Sequence, residues 1–257
     1  MKTLISAELY KILKNKLTYV GLVLTTIPIL ISFCFIYAKE SFSLDATNGE
    51  VAQLTLFEYI TNISFSLIWQ IFIFLLFLVL YINTYISDEI KTDKIIYQII
   101  GPQQKKRIFM SKLWTTVLIT LTFLLICMLM TGLGYQLFIV GSEYFSRVSG
   151  FSIWGIIVIT SYNIIYYVCL MLVIASLSFI KKGNAVLVII FITNLLSIQL
   201  TNVEKIARWI PGCLVYDSAL ANQGNIIGIA IFQVIYLVAI TGVIVFMAYR
   251  NFQKREF

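Results

Sequence analysis

The stretch "LWTTVLITLTFLLICMLMTGLGYQLFIV", Leu113–Val140, contains no charged residue. About 20 consecutive apolar residues suffice for a helix to cross the hydrocarbon core of a bilayer. The apolarity is continuous rather than alternating, which excludes the strand pattern of a β-barrel. Five more runs resemble it: Leu17–Ala38, Ile60–Ile86, Ile153–Ile180, Ala185–Leu200 and Asn225–Ala248. Ala185–Leu200 is short for a crossing. Hydrophobic residues make up 60% of the 257, and charged residues 12%. Soluble domains average about 45–50% and about 25%. The sequence therefore predicts an all-α membrane protein, a single transmembrane domain over 1–257 with six transmembrane helices. The first run is too long for a secretory signal core and lacks a small-x-small cleavage site, so it reads as a retained span.

Lys and Arg set the orientation, because cytoplasmic segments carry the excess. With the N-terminus in the cytoplasm, fifteen of the nineteen Lys and Arg fall on the inner segments. The four outer ones are Lys39, Arg147, Lys205 and Arg208. The expectation is a multi-pass protein of the cell membrane with both termini cytoplasmic. The net charge of +7 is then a topology signal and no nucleic-acid surface. Residues 1–16 read as an interfacial helix. Met1, Ile5, Leu9, Ile12 and Leu13 share one face; Thr3, Ala7, Lys11 and Lys14 lie opposite, with the cations toward lipid headgroups. On the outer side, Lys39–Tyr59 is polar and acidic. Thr201–Gly224, with Asn202 as a cap and Pro211-Gly212 as a stop, predicts a broken hairpin dipping into the outer leaflet.

Much chemistry is missing. There is no histidine, which removes most zinc sites and the Ser-His and Cys-His nucleophile systems. There is no Gly-x-x-x-x-Gly-Lys-Ser/Thr phosphate loop. Cys34, Cys127, Cys169 and Cys213 form no metal-like pair and read as small packing residues. Gly132–Gly134 reads as a site of close helix packing. No carboxylate lies deep in a span, as an ion-coupled transporter would need. The expectation is no enzyme, no metal site and no cofactor in this chain, which borrows its energy from elsewhere.

The segment just before the opening stretch, "SDEIKTDKIIYQIIGPQQKKRIFMSK" (Ser87–Lys112), is by contrast densely charged. Asp88, Glu89 and Asp93 stand near a helix start, where the macrodipole favours acids. Ile90, Ile95, Ile96, Ile99 and Ile100 give an apolar face. Gly101-Pro102 ends that helix, and Lys105, Lys106 and Arg107 lead into the third span. An ordinary positive-inside loop is the simpler reading, but such a loop has no need of patterned isoleucines.

This segment resembles that of the permease subunits of ATP-binding cassette transporters of the ABC-2 type. The matching residues are Glu89, Thr92, Ile99-Ile100, Pro102, Lys105 or Arg107, and Lys112; Lys91-Thr92 stands where the family often carries Gly-Thr. The six-span layout, the inside termini and the N-terminal helix are also similar to the small permeases of lantibiotic, bacitracin and peptide-toxin systems. The resemblance implies a permease, as a homodimer or paired with a second permease, joined to two separate ATPase subunits that hold the ATP-Mg. It implies export of an amphipathic peptide, toxin or peptide antibiotic. A cytoplasmic coupling helix, with Asp88, Glu89, Thr92, Asp93, Ile95, Ile99 and Pro102, would dock on the ATPase. Two rivals stand beside it: an immunity or scaffold protein that sequesters a toxin without transport, and a membrane-embedded enzyme.

Polar residues form stripes on the spans. Asn62, Ser66, Trp69, Gln70 and Asn83 lie within an arc of about 140° on span two. Asn163, Tyr166 and Tyr167 share a face of span four, and Gln233 marks span six. They are candidates for a translocation path; the alternative is hydrogen bonding between helices.

Overall fold

A computed structural model describes residues 2–37, 55–64, 76–91, 102–142, 153–180 and 226–254, and every element among them is helical. The helices are α1 (Lys2–Leu13), α2 (Lys16–Leu24), α3 (Ile27–Tyr37), α4 (Leu56–Ser64), α5 (Leu76–Lys91), α6 (Pro102–Gly134), α7 (Ile153–Ile180) and α8 (Ile226–Lys254). A π-helical turn, Tyr135–Ile139, extends α6. Among the described residues, four stretches are long and apolar enough to cross a membrane: Lys16–Cys34, Lys105–Ile139, Trp154–Ile180 and Ile227–Lys254. These correspond to the first, third, fourth and sixth runs. The second run appears as α4 and α5. The fifth run, the Thr201–Gly224 hairpin and most of the Lys39–Tyr59 connection lie outside the described residues.

The first run is not one unbroken helix. Pro28 has no N–H to offer Leu24 and is tolerated only near a helix start. The chain therefore turns at Thr25-Thr26 and restarts at Ile27. The two threonine hydroxyls donate to the carbonyls of Leu22 and Val23, both at 2.7 Å. The Thr25 hydroxyl thus gives the Leu22 carbonyl a donor at the break, while the Val23 carbonyl also accepts the Thr26 N–H at 3.1 Å.

Directions follow from contacts at the two ends. Phe109 near the start of α6 packs on Phe179 at the end of α7 and on Phe252 at the end of α8. Farther along, Ser64 at the end of α4 donates to Thr131 of α6 (2.9 Å), and Thr61 meets Thr160 of α7 (3.0 Å). Thus α6 runs antiparallel to α7. Phe179–Phe252 and the Cys169–Thr241 hydrogen bond hold nearly the same sequence offset, so α7 and α8 run parallel. One end of the bundle holds Lys11, Lys14, Lys16, Lys105, Lys106, Arg107, Lys112, Arg250 and Lys254; we call it the basic end. The opposite end holds Glu58, which accepts from the Thr55 N–H and hydroxyl (2.9 and 2.8 Å) in a capping box that starts α4.

The core lies among α5, α6, α7 and α8 and is rich in rings, with Tyr81, Phe109, Phe123, Tyr162, Tyr167, Phe179 and Phe252 all buried. The threonines of α6 fit this apolar setting because each serves its own helix. Thr115, Thr116, Thr120 and Thr131 donate to the carbonyl four residues earlier, at 2.7–2.9 Å. The outward stripe of α6, Trp114, Leu118, Leu121, Leu125, Leu129, Leu133 and Leu137, is exposed.

Glycines permit two close approaches. At Gly21 the rings of Phe77 and Phe123 occupy the space a Cβ would need. At Gly134 a Cβ would stand 2.9 Å from the Ser32 Cβ and 3.4 Å from the Ile29 backbone, while Gly132 meets only the tip of Ile60 at 3.4 Å. The close packing expected of this pair thus rests on Gly134. Gly134→Ala should cost about 1–3 kcal/mol, because a backbone and a Cβ cannot yield as a side-chain tip can. Gly132→Ala should cost less than about 1 kcal/mol. Thermal unfolding in detergent separates the two, and equal shifts would show that α3 is not seated on Gly134.

Candidate functional site

At the basic end, α5 presents Tyr81, Tyr85 and Glu89 four residues apart, hence on one helix face. Each makes a polar contact with the N-terminal region. The Tyr81 hydroxyl meets that of Thr18 at 3.1 Å. The Tyr85 hydroxyl donates to Glu8 Oε2. Glu89 Oε1 accepts from Lys11 Nζ at 3.1 Å. On α6, Lys112 lies one turn past the Arg107–Ile108 entrance and points inward. Its Nζ donates to Glu89 Oε2 at 2.6 Å and to Glu8 Oε2 at 3.3 Å, and sits 4.5 Å from the Tyr85 ring centroid. Lys11 closes the set by donating to Glu8 Oε1 at 3.1 Å.

The result is a network of two carboxylates and two ammonium groups that joins α1, α5 and α6. Lys112 is fully buried, Glu8 nearly so, Glu89 is 15% exposed and Lys11 41%. Removing ions from water costs several kcal/mol each, offset only when geometry and partners are complete. Here Lys112 has two carboxylates and a π face, and each carboxylate has at least two donors. The charges balance, so the network adds no net field of its own.

Burial alone would raise the Glu8 carboxyl pKa. The Lys112 ammonium, the Tyr85 hydroxyl and Lys11 outweigh it and hold the group below the usual carboxylate range. For Lys11, burial works to lower the pKa, and Glu8 with Glu89 outweighs it and raises the group above its ordinary value. A depressed carboxylate stabilises the fold above its unfolded pKa, near 4.3, and loses that contribution as pH falls through its folded value. A raised lysine contributes below about 10.4 and loses it as pH rises through its folded value. The unfolding midpoint should therefore be flat from about pH 5 to pH 9 in these groups and fall on acidification below about pH 4. Midpoints measured over that range for the parent and for Glu8→Gln test this. The acid limb should shrink in the variant, and an unchanged limb would assign it to other carboxylates.

The sequence reading placed Lys11 on the headgroup side of an interfacial helix and Leu13 on its apolar face. Both are corrected. Lys11 faces the network, because two carboxylates are there to receive it. Leu13 is 63% exposed, while Ile12 and Glu8 are the residues buried. Glu8 and Tyr85 were not anticipated as site residues. A signal existed: Glu8 lies about 40° from Ile12 around the helix, a charge within the apolar face.

Of the proposed coupling residues, Glu89 is the one whose side chain the structure places. Asp88 lies in α5 and Pro102 opens α6, by backbone alone. Thr92, Asp93, Ile95 and Ile99 lie outside the described residues, as does the helix expected between them. Helix α5 itself continues past the expected span end at Ile86 to Lys91. Of the proposed path residues, Asn62 and Asn83 are placed by backbone in α4 and α5, and Ser66, Trp69 and Gln70 lie outside the described residues. Asn163, Tyr166, Tyr167 and Gln233 are all buried within the chain. Tyr166 packs on Tyr162 and Tyr167, at 6.4 and 5.4 Å between centroids. Asn163 Oδ1 accepts no hydrogen bond among the described residues. Neither a protein-family model nor a curated protein sequence matches the chain.

Proposed function

We propose that the chain is the permease subunit of an ATP-driven exporter, with six spans and both termini in the cytoplasm, acting as a pair with two separate ATPase subunits. The observation that carries the reading is the 2.6 Å contact between Glu89 and Lys112. These two residues bracket the charged segment, and both belong to the pattern that resembles an ABC-2 permease. Their contact ties the C-terminal turn of α5 to α6 almost three turns past its first residue, so the two helices that flank the charged segment are held together. A force applied to that segment reaches two membrane helices and, through Glu8 and Lys11, the N-terminal helix.

Two further observations support the layout. The parallel run of α7 and α8 means that residues 181–225 join opposite ends of the bundle, as a fifth span over Ala185–Leu200 would do. The described Lys and Arg side chains gather at one end, which the positive-inside rule assigns to the cytoplasm. The cargo fits an amphipathic peptide, toxin or peptide antibiotic, with Asn62, Ser66, Trp69, Gln70 and Asn83 as its contacts; Asn163, Tyr166, Tyr167 and Gln233, buried within the chain, would meet it only on a rearrangement of α7 and α8.

The test is affinity purification of the tagged chain from its own membranes into nanodiscs, with the copurifying proteins identified. A stoichiometric complex whose ATP hydrolysis rises with added peptide is the expected outcome. A chain that binds a toxin tightly yet recruits no ATPase would instead mark a sequestering immunity protein.

A further inference from the structure

Three helices end at the basic face in the same order of residues. On α6, the exposed residues Arg107, Trp114, Leu118, Leu121 and Leu125 fall within an arc of about 60° around the helix. On α8, the exposed residues Arg250, Phe246, Val243, Tyr236 and Phe232 fall within an arc of about 80°, and the Arg250 guanidinium lies 5.2 Å from the Phe246 ring centroid. On α2, exposed Lys16 shares a face with Val20 and Val23, with Tyr19 about 60° away. In each case a cation prolongs the lipid-facing stripe outward past an aromatic ring. These cations therefore point sideways along the bilayer surface rather than down into the cytoplasm. Arg107 stands two turns beyond Trp114, about 10 Å along the axis. With the ring among the lipid carbonyls, the guanidinium reaches the phosphate layer.

Charge decides which headgroups fit. Glu8 and Glu89 are engaged by Lys11 and Lys112. Among the described side chains, no carboxylate remains at this end to neutralise Lys14, Lys16, Lys106, Arg107, Arg250 and Lys254, all of them exposed. The internal network keeps its acids from the rim, so the rim's described charged side chains are all cationic at headgroup depth. We propose that this rim binds anionic phospholipids selectively, with its principal site at Lys106 and Arg107 above Trp114. The inference is independent of any cargo or ATPase.

The probe is a chain with Trp114 as sole tryptophan (Trp69→Phe, Trp154→Phe, Trp209→Phe) in phosphatidylcholine vesicles. Brominated phosphatidylglycerol or brominated phosphatidylcholine is added at equal mole fraction. Each cation near the surface favours an anionic lipid by about five-fold. Phosphatidylglycerol should therefore quench Trp114 as though enriched five-fold or more, and Lys106→Gln with Arg107→Gln should bring it down to the phosphatidylcholine value. Equal quenching by the two lipids in the parent, or a preference unmoved by the substitutions, overturns the proposal. Native mass spectrometry of the unaltered chain from mixed micelles gives the same comparison without tryptophan changes, and decides alone if the sole-tryptophan chain does not reconstitute. Should Lys106→Gln/Arg107→Gln retain phosphatidylglycerol adducts yet lose a copurifying ATPase, the rim is a protein dock and the proposal fails.

Discussion

Replacing Lys112 with Gln should destabilise the chain by about 3–5 kcal/mol, the cost of breaking a buried ion pair from one side. Lys112 is fully buried and bridges Glu8 and Glu89. Without it, two carboxylates remain at the junction of α1, α5 and α6, with Lys11 as the one described cation between them and the Tyr85 hydroxyl still on Glu8. The amide can accept or donate hydrogen bonds but supplies no charge. Replacing the whole set (Glu8→Gln, Glu89→Gln, Lys112→Met) should recover most of the loss, because the desolvation cost leaves together with the attraction. Unfolding followed by proteolytic susceptibility in nanodiscs gives both numbers. A loss under about 1 kcal/mol for Lys112→Gln would place the pair among exposed ion pairs of little weight.

Glu89→Gln should separate stability from function. Glu8 still holds Lys112, so folding should survive. Lys11 loses its long-range partner on α5, and Lys112 loses its shorter contact. A charge-assisted hydrogen bond contributes about 1.5–3 kcal/mol, so peptide-stimulated ATP hydrolysis should fall about tenfold or more while the complex with the ATPase still copurifies. Ile95→Asp, on the proposed docking face, should act differently by releasing the ATPase, since disrupting an interface anchor costs about 2 kcal/mol or more. If both variants bind the ATPase and transport like the parent, Ser87–Lys112 is a topological tether and the coupling reading is wrong.

What the sequence made legible follows from the range of each signal. Continuous apolarity is local, and it placed both ends of α7 and the start of α8, while the charged ends of α6 and α8 run on, to Pro102 and Lys254, beyond the apolar runs at Leu113 and Ala248. The break at Thr25-Thr26 was equally local, but Pro28 was absorbed into an apolar run and read as part of one span. Glu89 and Lys112 were visible through their resemblance to a family pattern. Their contact was not, because 23 residues separate them and nothing in between fixes the return path. Glu8 lies 104 residues from Lys112; only tertiary packing reveals that pair. Asn163 and Gln233 were read as stripe residues, and their burial against neighbouring helices depends on which faces meet, which helical periodicity alone leaves open.

The ring cluster of Phe109, Phe179 and Phe252 carries a consequence for biosynthesis. Its members come from an early, a middle and a late helix, and Lys105 donates to the Gln253 carbonyl beside it at 3.5 Å. Helices α6 and α7 can pair soon after they leave the translocon, but the cluster stays open until α8 has been made through its last turn. Until then, Phe109 and Phe179 present an unfilled aromatic notch at the membrane surface. A nascent chain stalled before Tyr249 lacks the ring of Phe252 that closes the cluster, so this corner of the bundle is completed only with the last turn of α8.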